Sequence, residues 1–210
     1  PKIKLDKPKE FKLKNGIRVL VVENHKLPRI NYSLRFDRKP IVEGEKTGVI
    51  SLLGSMLGNG TTNIPKDDFN EEVDFLGAGI NVGFGSGFAF TLTKNNEKVL
   101  DLFSDAVINP LLTEEEFEKE KDKLIEGLKS QKKDIDAISG RVGDALSYGK
   151  SHAYGEFISE QTIDNIKFED ILDYHAKYFI PNNVYIVVIG DVNYKEVKSL
   201  ISEKFGVWKK

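Results

Sequence analysis

Residues Gly48 to Thr62 read GVISLLGSMLGNGTT. The stretch predicts a helix that ends near Gly58 or Gly60, glycine being the residue that most readily takes the left-handed conformation closing a helix. Ser51, Gly54 and Ser55 fall at i, i+3 and i+4, so they share one face. Small residues there suit a helix packed closely against a neighbour. Gly54 inside a helix costs roughly 1 kcal/mol relative to Ala, so either another element approaches it closely or a function once stood there.

The same stretch resembles the first helix of the insulinase/pitrilysin metallopeptidases, inverzincins whose pattern runs roughly G-x-x-H-x-x-E-H-M-x-x-x-G-T. In that pattern the two His bind zinc and the Glu polarises the metal-bound water. Gly48, Met56, Gly60 and Thr61 stand where the pattern wants them, while its three functional positions hold Ser51, Gly54 and Ser55. A Ser hydroxyl is a poor substitute for imidazole, and Gly offers neither ligand nor base. A further acidic ligand of the family lies in a pattern E-R-x5-E on a later helix. The best match is Glu120-Lys121, which puts Gly127 at the distal position.

The likeness runs over nearly the whole chain. It includes Asn15 to Val19 (NGIRV), Phe75 to Asn81 (FLGAGIN), Asn109-Pro110, His152 to Gly155 (HAYG), Phe179 to Asn183 (FIPNN), Gly190 to Val192 (GDV) and Phe205 to Trp208 (FGVW). The resemblance implies a fold kept and a chemistry lost. No catalytic residue and no metal ligand are expected in this chain, and zinc is expected in an active partner.

At 210 residues, with 40% hydrophobic and 10% aromatic residues, the chain has enough apolar material for a real core. Its 31 basic and 33 acidic residues nearly cancel, so no general field draws in nucleic acid or an acidic membrane. The absence of Cys excludes disulfides, thiolate metal sites and a Cys nucleophile. It leaves the compartment open, a bacterial periplasm or cell envelope being the working expectation. No apolar run approaches the roughly 18 residues of a membrane span. Because the sequence starts at Pro1 rather than Met, an excised fragment of a longer chain is expected.

Outward from the central helix, Phe11 to Leu13 and Ile17 to Glu23 flank Asn15-Gly16, the dipeptide best suited to a type I′ hairpin turn. A third strand is predicted from Ile30 to Phe36, then a polar loop to Lys46. Pro65 opens a helix over Lys66 to Leu76 that Gly77 stops. Ile80 to Thr93 alternates as one strand, with Ile80, Val82, Phe84, Phe88, Phe90 and Leu92 on a bulky face and a nearly bare face opposite. Asn96 to Val107 reads as helical, and Thr113 with Glu116 forms a capping box for a long helix reaching about Lys133. Further helices are predicted at Ala137 to Ser147, Phe168 to Tyr178 and Tyr194 to Lys204, with Val184 to Ile189 a buried strand. The order implies an α+β two-layer sandwich, one mostly antiparallel sheet with helices mainly on one face. No linker or repeat divides the chain, so a single domain over 1–210 is expected, and the resemblance makes it one half-unit of a processing-peptidase-like subunit.

His25, His152 and His175 sit on three different predicted elements with no i, i+4 partner, which favours structural or surface roles over a metal site. No G-x-S-x-G marks a serine hydrolase. The glycines from Gly77 to Gly87 lack a Walker pattern, and their alternation belongs to a strand. In active relatives the strand matching Ile80-Asn81-Val82 pairs with substrate by β-augmentation, so Ile80, Asn81, Val82, Gly83 and Gly85 are candidates for binding an extended peptide. Packing of that face against the next element is the competing reading.

Two functions follow. One is a non-catalytic unit of an insulinase-type peptidase assembly, contributing chamber wall and peptide binding while a catalytic subunit, or a second half of the same chain, supplies zinc. The other is an interaction or scaffold module with no link to proteolysis, as in relatives built into respiratory complexes.

Overall fold

Strands with one buried and one outer side chain in alternation build a single sheet. The computed structural model describes residues 7–209. The strands are β1 (Lys9–Lys12), β2 (Arg18–Glu23), β3 (Arg29–Phe36), β4 (Gly79–Val82), β5 (Ser86–Leu92) and β6 (Val184–Gly190). The helices are α1 (Val49–Met56), α2 (Lys66–Phe75), α3 (Asn96–Ile108), α4 (Glu114–Gln131), α5 (Ile135–Tyr148), α6 (Glu160–Asp164), α7 (Phe168–Tyr178) and α8 (Tyr194–Gly206). Two compact units emerge. The first runs to Asp37, resumes over Leu57–Leu111 and again from Ile180; the second comprises Arg38–Met56 and Leu112–Phe179.

In the first unit the sheet order is β1-β2-β6-β3-β5-β4. Every neighbouring pair is antiparallel except β2 with β6. The late strand β6 therefore inserts at the centre, as its apolar run VYIVVIG suggests. Its Val184, Ile186 and Val188 are fully buried together with Val19, Ile30, Tyr32 and Leu34. Helix α3 packs on β5 and β4, with α8 and α2 beside it. Along α8 the buried residues are Val197, Ile201 and Phe205, one residue per turn on a single stripe. Asn193 caps this helix by accepting from Lys195 N at 2.9 Å, and Glu23 accepts from Tyr194 N at 2.7 Å.

The second unit is helical. Val49, Leu52, Leu53 and Met56 form the buried side of α1, which packs against α4 and α7. Thr113 starts α4 by accepting from Glu116 N, and the side chain of Asp134 starts α5 by accepting from Asp136 N and Ala137 N. Short α6, which the sequence pattern did not announce, carries a reciprocal capping box between Ser159 and Thr162.

Two expectations are corrected. Ile80 to Thr93 is a hairpin, not one strand: β4 and β5 are joined through Gly83–Gly85, closed by Gly83 N donating to Ser86 O at 2.8 Å. In the register Ile80 faces Ala89 and Val82 faces Gly87, so even positions in β4 share a side with odd positions in β5. The alternation thus reverses across the turn. The buried side of β5 is the small one, Gly87, Ala89 and Thr91, while Phe88, Phe90 and Leu92 are on the outer side. The second correction is the Asn15-Gly16 turn. Of the pair only Gly16 has a positive φ, 109°, so a type I′ turn, which needs two, does not form. The loop is longer, with Leu13 N donating to Ile17 O at 2.8 Å and Gly16 N to Leu13 O at 3.0 Å.

Candidate functional site

Helix α1 is preceded by Gly48, whose φ of 118° admits glycine far better than other residues. Its first N–H groups are held by a carboxylate: Glu43 Oε2 accepts from Gly48 N at 3.1 Å and Ile50 N at 2.8 Å, the usual way a helix start is satisfied. A second carboxylate secures that loop, since Glu156 accepts from Glu43 N at 2.7 Å and Gly44 N at 2.9 Å. Burial pushes the Glu43 carboxyl above its ordinary range, against the N–H groups that favour its charge; the neighbouring Glu156 raises it further.

The structure brings Ser51, Gly54 and Ser55 together on the side of α1 away from its buried residues. Ser51 and Ser55 are exposed and Gly54 is half-buried. The Ser55 hydroxyl donates back to Ser51 O at 3.0 Å, a local bond typical of serine within a helix. Gly127 lies on α4, and a Cβ there would meet nothing within 4 Å. Nearby on α4, Glu120 pairs with Lys123 at 2.6 Å, and Lys121 donates to Ile166 O at 3.1 Å. Chemically this face offers two hydroxyls and no anionic or imidazole donor. Among the described residues no group of three or more His, Cys, Asp or Glu side chains could hold a metal ion.

The three histidines do not converge. His25 Nδ1 stands 2.7 Å from Asp191 Oδ1, and the other Asp191 oxygen accepts from Thr93 at 2.9 Å. These bonds, His25 foremost, hold the Asp191 carboxyl below the usual carboxylate range. His152 stacks on Tyr148 at 5.5 Å and accepts from Tyr154 N at 3.2 Å. His175 stacks on Phe179 at 4.8 Å, and burial lowers its pKa to about 4.

The other candidate belongs to the first unit, where β4 is the terminal strand of the sheet. Ile80, Asn81 and Val82 lie in it, while Gly83 and Gly85 lie in the turn that follows. The Gly85 carbonyl accepts from Phe36 N at 3.2 Å, which ties the turn to β3. At the Val82 end the edge is approached by Gly58, where a Cβ would stand 3.1 Å from Val82 N. Gly79, at the other end, is covered on the outer side by the Phe90 ring, which would overlap any Cβ there. Along this terminal strand Gly79 and Ile80 are half-buried and Asn81 is exposed. Sequence reasoning missed the amphipathic side of α5, whose signal was present as Ile135, Ile138, Val142 and Leu146 at helical spacing.

Comparison with known proteins agrees with this arrangement. Residues 41–146 match the family described as Insulinase (Peptidase family M16), and residues 165–210 match Peptidase M16 inactive domain. The chain is 24% identical over 206 residues to an uncharacterized zinc protease of Rickettsia felis, covering 92% of this chain and 48% of that protein. It is 21% identical over 199 residues to cytochrome b-c1 complex subunit 1, mitochondrial, of Bos taurus, covering 92% of this chain and 41% of that one. The crystal structure of a peptidase M16 inactive domain from Pseudomonas fluorescens superimposes with a TM-score of 0.85 at 23% identity, over 97% of this chain and 51% of the other. The chain thus spans about half the length of the relatives it matches.

Proposed function

Since the chain belongs to the insulinase family, peptidase family M16, we propose that it is a non-catalytic unit of a two-part peptidase assembly. It contributes wall and peptide-binding surface, and a partner unit supplies zinc and the general base. The observation that carries this reading is the face of α1. Ser51, Gly54 and Ser55 keep the spacing of an H-x-x-E-H face, with both serines exposed, while offering no ligand. The half-length match to relatives named zinc proteases supports a second unit. The edge of β4 supports an extended peptide as occupant, because an unpaired strand presents ready N–H and C=O groups. Within that strand Ile80 to Asn81 is the contact segment, with Val82, Gly83 and Gly85 positioning it.

The test is reconstitution with the M16 chain of the same organism that retains H-x-x-E-H. A labelled unstructured peptide should be cleaved by that chain at a rate raised about tenfold or more, some 1.4 kcal/mol in the barrier, when this protein is added. This protein alone should leave the peptide intact with or without zinc. Cleavage by this chain alone, or a partner whose rate and peptide affinity ignore it, sinks the proposal.

The likeness to a cytochrome b-c1 complex subunit favours a second reading, a scaffold with no part in proteolysis. An assembly that forms with unchanged peptide cleavage and no peptide binding at β4 selects it.

A further inference from the structure

In the first unit β2, β5 and β6 all finish at one end of the sheet. β2 and β6 are parallel, and β5 runs the same way because β3, antiparallel to both β5 and β6, lies between them. The connections that leave this end carry His25, Thr93 and Asp191. Where helices follow the carboxyl ends of parallel strands, an open sheet leaves a crevice for a ligand, and here α3 and α8 follow β5 and β6. A cavity of about 280 Å³ opens among these connections and the first turns of the two helices. Ligand cavities start at roughly 300 Å³, so the occupant is small.

The lining is held in place by hydrogen bonds. Asp191 is fixed from two sides, with His25 Nδ1 standing 2.7 Å from one oxygen and Thr93 donating to the other at 2.9 Å. Asn96 accepts from the hydroxyl of Tyr32 at 2.5 Å, and Tyr32 is 1% exposed. The apolar part of the lining is Ile30, Val192 and Val197, all buried.

Charge decides the occupant. Asp191 and Glu196 bring two carboxylates to the lining, and among the described residues no Lys or Arg joins them there. Glu196 makes no ion pair among the described residues. Two like charges around one small opening repel until a cation stands between them. An anion would meet those carboxylates with little in return, since Tyr194 N at the start of α8 is spent on Glu23 and Lys195 N on Asn193. A bare metal ion lacks ligands, because no group of three His, Cys, Asp or Glu side chains converges among the described residues. Apolar lining beside carboxylates suits a short hydrocarbon stem that ends in a cation.

We propose that this cavity binds a primary alkylammonium group, its methylenes against Ile30, Val192 and Val197 and its N–H donors on Asp191, Glu196 and the Thr93 hydroxyl oxygen. An ammonium carries three donors and no acceptor, which matches three acceptors around one opening. The group is that of a free amine or of a lysine side chain. The site is independent of the proposed role in a peptidase assembly, which stands whether or not an amine binds.

The test is titration of nitrogen-15-labelled protein with n-butylammonium in about 0.15 M salt, followed through the amide resonances of Thr93, Asn96 and Asp191. Saturation with a Kd of about 1 mM or below is expected. Butanol and butyrate should bind about tenfold more weakly or worse. Glu196→Gln, at an exposed position, should leave the far-ultraviolet circular dichroism unchanged and weaken butylammonium about fivefold or more. The absence of saturable shifts overturns the proposal. So does butanol binding as well as butylammonium, which would mean an apolar cavity alone, or butyrate binding better, which would mean an anion site. An unchanged affinity in Glu196→Gln overturns it as well. N-α-acetyl-lysine methylamide and cadaverine separate the two sources: tighter binding of the capped lysine supports a side chain as occupant, and tighter binding of the diamine supports a free amine.

Discussion

The ring of Phe103 on α3 lies where a Cβ on Gly87 of β5 would stand 3.1 Å from its Cε2. Asn81 O would be 3.3 Å away on the other side. Phe103 is fully buried and packs edge-on against Phe205 at 6.0 Å, so it has little room to retreat. Gly87→Val should therefore destabilise the fold by about 1–3 kcal/mol, the usual cost of overpacking. Gly85→Val, two residues away with nothing within 4 Å of its Cβ, should change stability by less than about 0.5 kcal/mol. Urea unfolding midpoints at constant slope separate the two. Equal effects would mean that α3 does not seat on β5 through this glycine.

Asn15 was read as a turn residue, but its amide is buried and joins distant parts of the first unit. Its Nδ2 donates to Phe205 O at 2.8 Å and Trp208 O at 3.0 Å, closing the end of α8. Asn15→Ala leaves those two carbonyls without their donor and should cost about 1–3 kcal/mol. A loss of only a few tenths in chemical denaturation would show that water replaces the amide.

His175 gives a pH signature. Its folded pKa is about 4, below the ordinary 6.5, because burial disfavours the charged ring. Between those values the unfolded chain binds more protons than the folded one, so stability rises with pH there and falls as the solution is acidified through about 6.5 toward 4. The expected loss is on the order of 2 kcal/mol, reduced from the full linkage value by water reaching a ring that is not wholly enclosed. His175→Leu should flatten the stability profile over that window. Glu43, whose carboxyl is raised by burial, acts oppositely: it adds stability as pH falls through its folded pKa. Glu43→Gln should accordingly steepen the acid loss. An unchanged profile in His175→Leu would place the acid sensitivity elsewhere.

A zinc site should be restorable. Ser51 and Ser55 are exposed one turn apart on α1 and Gly127 has open space on α4, so Ser51→His, Gly54→Glu, Ser55→His and Gly127→Glu together should bind one zinc per chain. Calorimetry should show a stoichiometric site in the quadruple variant and none in wild type. If the variant folds and still takes up no zinc, the assignment of Gly127 to the distal position is wrong.

Most helix positions, the buried central strand and the family were legible in the sequence. Each is local, since helical spacing, capping residues and a short motif depend on neighbours within a few positions. Val184 to Ile189 announced a buried strand by its unbroken apolar run. The face that β5 buries was not legible. Which side of a strand meets the core depends on the register it takes with its partner and on where the turn falls. The odd register of β4 with β5 inverted the reading of Phe88 and Phe90. Asn15 likewise found its role 190 residues away, beyond any local pattern. Only the tertiary structure revealed that the small side of β5 is spent on Phe103, leaving the aromatic side and the stripe on α5 exposed.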